Sequence, residues 1–118
     1  MPSYTLTARV VLHKDDKRTK EHSPDAEEYK TLHAEMHARG YLRYFVNQKD
    51  EKKKLPPGEY TIDLKADDGD DARAKAMKKA KAAAIIATSA ERFSVLITGG
   101  NGLRGANLET IGEDPDAE

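Results

Sequence analysis

The sequence predicts an α+β domain in which a four-stranded antiparallel sheet carries two helices on one face. Three observations predict it. Residues 4–12 alternate apolar and polar with the period of a strand. Two segments, 24–39 and 72–88, have helical composition and open on capping residues. Three further runs rich in aromatic and β-branched residues, at 41–47, 59–64 and 92–98, are bounded by charged or glycine-containing stretches.

Taken in order, Tyr4, Leu6, Ala8, Val10 and Leu12 face one way along the first strand, and Thr5, Thr7 and Arg9 face the other. KDDKRTKEH is a polar loop. Ser23-Pro24-Asp25 reads as a helix start, with Ser23 as cap, Pro24 at the first helical position and Asp25 complementing the dipole. Tyr29, Leu32 and Met36 form that helix's apolar stripe, and Gly40 ends it. Tyr41 begins the second strand. KDEKKKLPPGE is a charged hairpin loop before EYTIDL, the third strand. ADDGDD starts the second helix, with Asp70 or Asp71 capping, and Met77, Ala80, Ala84 and Ile85 supplying its packing face. RFSVLIT is the fourth strand. The order β-α-β-β-α-β is that of two split β-α-β units, the ferredoxin-like arrangement, with strands 1 and 3 at the centre.

With 118 residues the chain has room for one domain and one modest core, expected over residues 1–111. Residues 112–118 are expected to be an acidic, flexible tail. The last ten residues, ETIGEDPDAE, hold five acids and no base, which leaves residues 1–108 with 20 bases against 16 acids. A mildly basic body permits a nucleic-acid partner without requiring one. No run approaches the roughly 18 apolar residues of a membrane span. No basic segment leads into an apolar one at the N-terminus, so a cytoplasmic location away from membranes is the expectation. With no cysteine in the sequence, thiol catalysis and thiolate metal sites are excluded.

Gly100-Asn101-Gly102-Leu103-Arg104-Gly105 fits G-x-G-x-x-G directly after a strand. A dinucleotide loop, however, must open a helix that leads to a returning strand. Only 13 residues follow Gly105, so the segment reads as a tight turn. Asn101-Gly102 would be its type I′ pair, and the following residues could return as a fifth, edge strand. Arg104 at this turn is a candidate phosphate contact.

His33 and His37 in HAEMH stand at i and i+4, a spacing that lets two imidazoles share a metal. The glutamate of H-E-x-x-H is one position late, at Glu35, and nothing in the spacing selects a third ligand. The expectation is therefore a histidine at the core margin and a solvated one near the helix end, with no metal ligand set. No serine stands in a nucleophile elbow. His13, Asp15 and Asp16, at the end of the first strand, are the candidate catalytic residues, because acids there could hold Mg²⁺ or act as base in phosphodiester cleavage. Otherwise no cofactor is expected. Arg43 and Lys52-Lys53-Lys54, beside Tyr44, are the candidate nucleic-acid contacts, since bases interleaved with aromatics can grip a single strand.

Several segments together resemble the GhoS-like family of small bacterial and phage proteins. These are Tyr4-Thr5-Leu6-Thr7-Ala8-Arg9-Val10-Val11-Leu12-His13, the helix pattern Tyr29-x-x-Leu32-His33-x-x-Met36-x-x-x-Gly40-Tyr41, Leu55-Pro56-Pro57-Gly58-Glu59-Tyr60, and Phe93-Ser94-Val95-Leu96-Ile97-Thr98 followed by Asn101-Gly102. The resemblance implies a ferredoxin-like fold. It also implies the activity of a type V toxin–antitoxin system's antitoxin, an endoribonuclease that acts on the toxin's messenger RNA. No catalytic residue of that family maps onto this chain by motif. The function expected is thus an RNA-interacting protein that binds single-stranded RNA, with endoribonuclease activity open. The competing expectation is a non-enzymatic protein-binding module that works through a sheet edge or as a homodimer.

Overall fold

A computed structural model describes residues 1–46, 49–89, 91–100 and 102–106, with residues 46 and 102–106 described by their backbone alone. The elements run β1 (Ser3–Leu12), α1 (Glu27–Ala38), β2 (Tyr44–Val46), β3 (Lys52–Lys54), β4 (Glu59–Lys65), α2 (Gly69–Ala87), β5 (Phe93–Gly99) and β6 (Gly102–Ala106). β1 lies between β4 and β5 and is antiparallel to both, with Leu6 opposite Ile62 on one side and Gly99 on the other. β6 extends this sheet along β5. β2 and β3 form a separate two-stranded ribbon.

The alternation of β1 follows from one-sided burial. Leu6, Ala8, Val10 and Leu12 are buried, and so are Tyr60, Ile62, Phe93, Val95 and Ile97 on its neighbours. Thr5 and Arg9, on the opposite face, are exposed. Tyr29, Leu32 and Met36 of α1 close the core from above, together with an alanine-rich stripe of α2 (Ala72, Ala76, Ala80, Ala83, Ala84 and Ala87). Such small side chains let the α2 backbone lie close to the sheet.

Several expectations need correction. The segment after Gly40 does not join the sheet as a full strand. Tyr41 is buried, and Leu42 makes a single backbone bridge to the sheet's edge, exchanging both hydrogen bonds with Thr61 at 2.8 Å. Past Leu42 the Thr61 hydroxyl still donates to the Tyr44 carbonyl at 3.0 Å, but the backbone ladder ends as the chain leaves in the ribbon, so β4 is an edge strand of the main sheet and not a central one. The cause is the end of α1. Gly40 has φ +94, its N–H donates to the His37 carbonyl, and the Tyr41 N–H donates to the Met36 carbonyl. This is a Schellman stop, and it turns Tyr41 inward before a strand can start. Lys52–Lys54, expected in a loop, form β3 opposite Tyr44–Val46.

The helix starts shift too. Ser23 to Ala26 is a turn closed by the Ala26 N–H on the Ser23 carbonyl at 2.9 Å, and α1 begins at Glu27 without a side-chain cap. Pro24 suits the second position of that turn as well as it suits a helix start. Asp68 caps α2, accepting from the Asp71 N–H at 2.8 Å, while the Asp71 carboxylate accepts from the Asp67 N–H at 3.2 Å. Ile85 does not pack inward but is exposed, as is Ile86. One position past Ala84 turns a side chain by about 100°, away from the alanine stripe.

The glycine segment is a hairpin and not a nucleotide loop. Gly99 pairs with Gly102, one residue earlier than an Asn101-Gly102 turn would have it. Gly100 has φ +60, as the first central residue of a type I′ turn requires; Asn101 lies outside the described residues. The turn rests on α2. A Cβ on Gly69 would stand 2.1 Å from the Gly100 carbonyl oxygen, and Arg73 donates to the Gly99 and Gly100 carbonyls at 3.0 and 2.6 Å.

Candidate functional site

Where α1 ends and the ribbon begins, a cleft of about 370 Å³ is lined by His33, His37, Tyr41, Leu42, Arg43, Tyr44 and Lys54. The Schellman turn places Tyr41 at its base, with the Tyr41 hydroxyl donating to the Ala76 carbonyl at 2.8 Å. One helical turn separates His33 from His37, so both imidazoles reach the same wall. Tyr44 and Lys54 stand directly opposite each other in the ribbon register.

His33 is held from behind: its Nδ1 lies 2.7 Å from the Tyr60 hydroxyl. Burial pushes the Tyr60 phenol well above its ordinary pKa, so it keeps its proton. A buried hydroxyl needs an acceptor, and Nδ1 is the partner it has among the described residues. We therefore assign the phenol as donor, which puts the proton of neutral His33 on Nε2. Burial lowers the His33 pKa, and the charges of Arg43 and Lys54 lower it further. At neutral pH the imidazole is an uncharged N–H donor beside two cations.

Those cations stand apart from most of the molecule's charge. Arg18, Arg39, Arg73 and Arg92 each pair with a carboxylate, as do Lys30 and Lys75. Arg43 and Lys54 have no such partner among the described residues, and no carboxylate lines their cleft. Beyond the cleft, the Lys52 ammonium sits 4.9 Å from the centre of the Tyr44 ring, and Phe45 is exposed. Lys53 is exposed and lies 3.8 Å from Glu51, a solvated pair of small worth. Arg43, Lys52, Lys53 and Lys54 are thus brought together on one ribbon. Arg104 falls in β6 opposite Ile97, away from this ribbon in the sheet order, and its side chain lies outside the described residues.

The members of the other candidate group each make contacts of their own. His13 is buried, with Nε2 3.2 Å from the Ser94 hydroxyl and Nδ1 without a partner. Burial lowers its pKa. Asp15 serves its own loop: its carboxylate accepts from the backbone N–H groups of Thr19 and Lys20 and from the Thr19 hydroxyl. That hydroxyl bond, foremost, holds its pKa below the usual value. Asp16 is turned to Arg92, 2.8 Å away. Among the described residues no group of three or more His, Asp and Glu could hold a metal ion, and no step is derived through one. The same holds for His33 and His37, which gain no third ligand.

The i, i+4 histidines were visible in the sequence as a metal pattern. What sequence reasoning missed is that the spacing furnishes a cleft wall, with Tyr60 of β4 behind it. No family model, curated protein or solved structure matches the chain. No helix among the described residues is long and apolar enough to cross a membrane.

Proposed function

We propose that this protein binds single-stranded RNA in the cytoplasm, gripping it with the β2–β3 ribbon and the adjoining cleft, and that it is a GhoS-like protein of ferredoxin-like fold. The observation that carries the reading is the meeting of Arg43 and Lys54, cations without an ion pair among the described residues, with a neutral imidazole donor and the aromatic ring of Tyr44. Phosphates take the cations and bases take the ring, a combination that holds a single strand with little regard to sequence. The fold proposal is supported by β1 between two antiparallel neighbours and by Leu42 bridging to Thr61, which places the segment after α1 beside β4. Retention of a mixed-sequence RNA on the purified protein, measured across a salt series, tests the reading. Steep loss of affinity with salt is expected, and salt-insensitive or absent binding overturns it. Intact RNA recovered after incubation with and without Mg²⁺ would separate binding from endoribonuclease activity.

One observation favours a second reading, a protein-binding module or homodimer. Ile85 and Ile86 stand 46% and 54% exposed on α2, an apolar pair with no partner in the fold. Light scattering that gives a doubled mass, lost on replacing both by lysine, would support it.

A further inference from the structure

We propose that the cleft is a phosphomonoester site that takes the terminal phosphate of an RNA strand, so that the protein grips strand ends in preference to their interior. This rests on the RNA-binding reading and adds the chemical group at its centre. A phosphate within a strand carries one negative charge and has two free oxygens. A terminal phosphate carries up to two charges and presents three. The cleft matches the second. It holds two permanent cations, the Arg43 guanidinium and the Lys54 ammonium, with no lining carboxylate to offset either. An anion that enters the cleft meets both positive charges. Burial first, and then these two charges, hold the His33 pKa below its ordinary value, so the imidazole stays neutral beside them.

His33 adds a third donor without adding charge. Tyr60 fixes its ring through Nδ1, so the Nε2–H is aimed by the protein and not by the ligand. A planar guanidinium suits two oxygens of the group and the imidazole N–H the third. The cleft's size also fits an end. About 370 Å³ accommodates a phosphate and part of a nucleotide, and Tyr41, whose hydroxyl is already committed to the Ala76 carbonyl, closes the floor. Tyr44, which lines the cleft with Lys52 over its ring, stands ready for the first base.

The test is fluorescence anisotropy with one short mixed-sequence RNA prepared in three forms: hydroxyls at both ends, a phosphate at one end, and a phosphate at the other. One phosphorylated form is expected to bind about tenfold more tightly than the hydroxyl form, and which one does so fixes the polarity of the strand. Arg43→Ala and Lys54→Ala are expected to abolish that advantage. Both side chains are exposed and make no ion pair among the described residues, so circular dichroism should show both variants folded. An advantage that persists in both variants overturns the placement. Equal binding of all three forms overturns the strand-end assignment and leaves the RNA-binding reading standing. Failure of every form to bind at low salt overturns both. A free nucleoside monophosphate that binds as tightly as the phosphorylated strand also overturns the strand-end assignment, since the site would then serve small nucleotides.

Discussion

His13 and His33 are both held neutral in the fold, chiefly by burial, but their surroundings differ. His33 gives its Nδ1 to Tyr60 and lines the cleft, whereas His13 has a buried Nδ1 with no partner among the described residues. Both have folded pKa values below the unfolded value of about 6.5. Their contribution to stability is therefore complete above pH 6.5 and is lost as pH falls through the folded values, because the unfolded chain takes up protons first. Urea midpoints should fall between pH 7 and pH 5, and His13→Asn should flatten that fall. A midpoint constant over this range would contradict it. Tyr41 offers a cleaner residue test. Tyr41→Phe removes one buried hydrogen bond to Ala76 and leaves the packing, so the expected loss is about 1 kcal/mol by denaturant titration. Asp15→Ala should loosen the loop between His13 and His22, read as faster amide exchange at Thr19 and Lys20, since both N–H groups donate to that carboxylate.

At the level of elements, α2 depends on its cap and the hairpin on its glycines. Asp68→Ala should cost about 1 kcal/mol, the usual worth of an N-cap carboxylate, visible as a lower Tm. Gly99→Ala should cost more, about 2 kcal/mol or above. Gly99 has φ +118, and an added Cβ would meet the Thr5 carbonyl oxygen at 2.5 Å. A Tm within a degree of the parent would refute that strain. These elements also mark how far the sequence can be read. β1, β4 and β5 were legible because one-sided burial imprints a period of two on Leu6, Ala8, Val10 and Leu12 and on their neighbours. The stripe of α1 and its stop at Gly40 were legible for the same reason. Ile85 was not, since its outward position follows from how closely the alanine stripe meets the sheet, a tertiary fact. Nor was the ribbon: Lys52-Lys53-Lys54 has no strand pattern, and only its pairing with Tyr44–Val46 makes it one. In the cleft, Arg43, Tyr44 and Lys54 could be named from local composition, whereas Tyr60 belongs to it only because β4 runs behind α1.

For the whole molecule, charge placement matters more than net charge. Arg18, Arg39, Arg73 and Arg92 are held in ion pairs, whereas Arg43, Lys52 and Lys54 stand beside the aromatic ribbon without one among the described residues. For single strands, the slope of log affinity against log salt changes by roughly 0.7 for each phosphate contact removed. Replacing Lys52, Lys53 and Lys54 by alanine should therefore flatten the slope by about 2 in a salt titration of RNA binding, while Lys78→Ala and Lys79→Ala on the outer side of α2 should leave it unchanged. An equal effect from both sets would mean that binding is spread over the surface. The sheet order carries a different consequence, one for synthesis. β1 is made first, yet it pairs on one side with residues 59–65 and on the other with residues 93–99. At the pace of translation, on the order of seconds separate the arrival of those two partners. During that interval the nascent chain displays Leu6, Ala8, Val10 and Leu12 on a strand with one bare edge, which makes this stage the natural point for a chaperone to engage or for neighbouring chains on a polysome to aggregate.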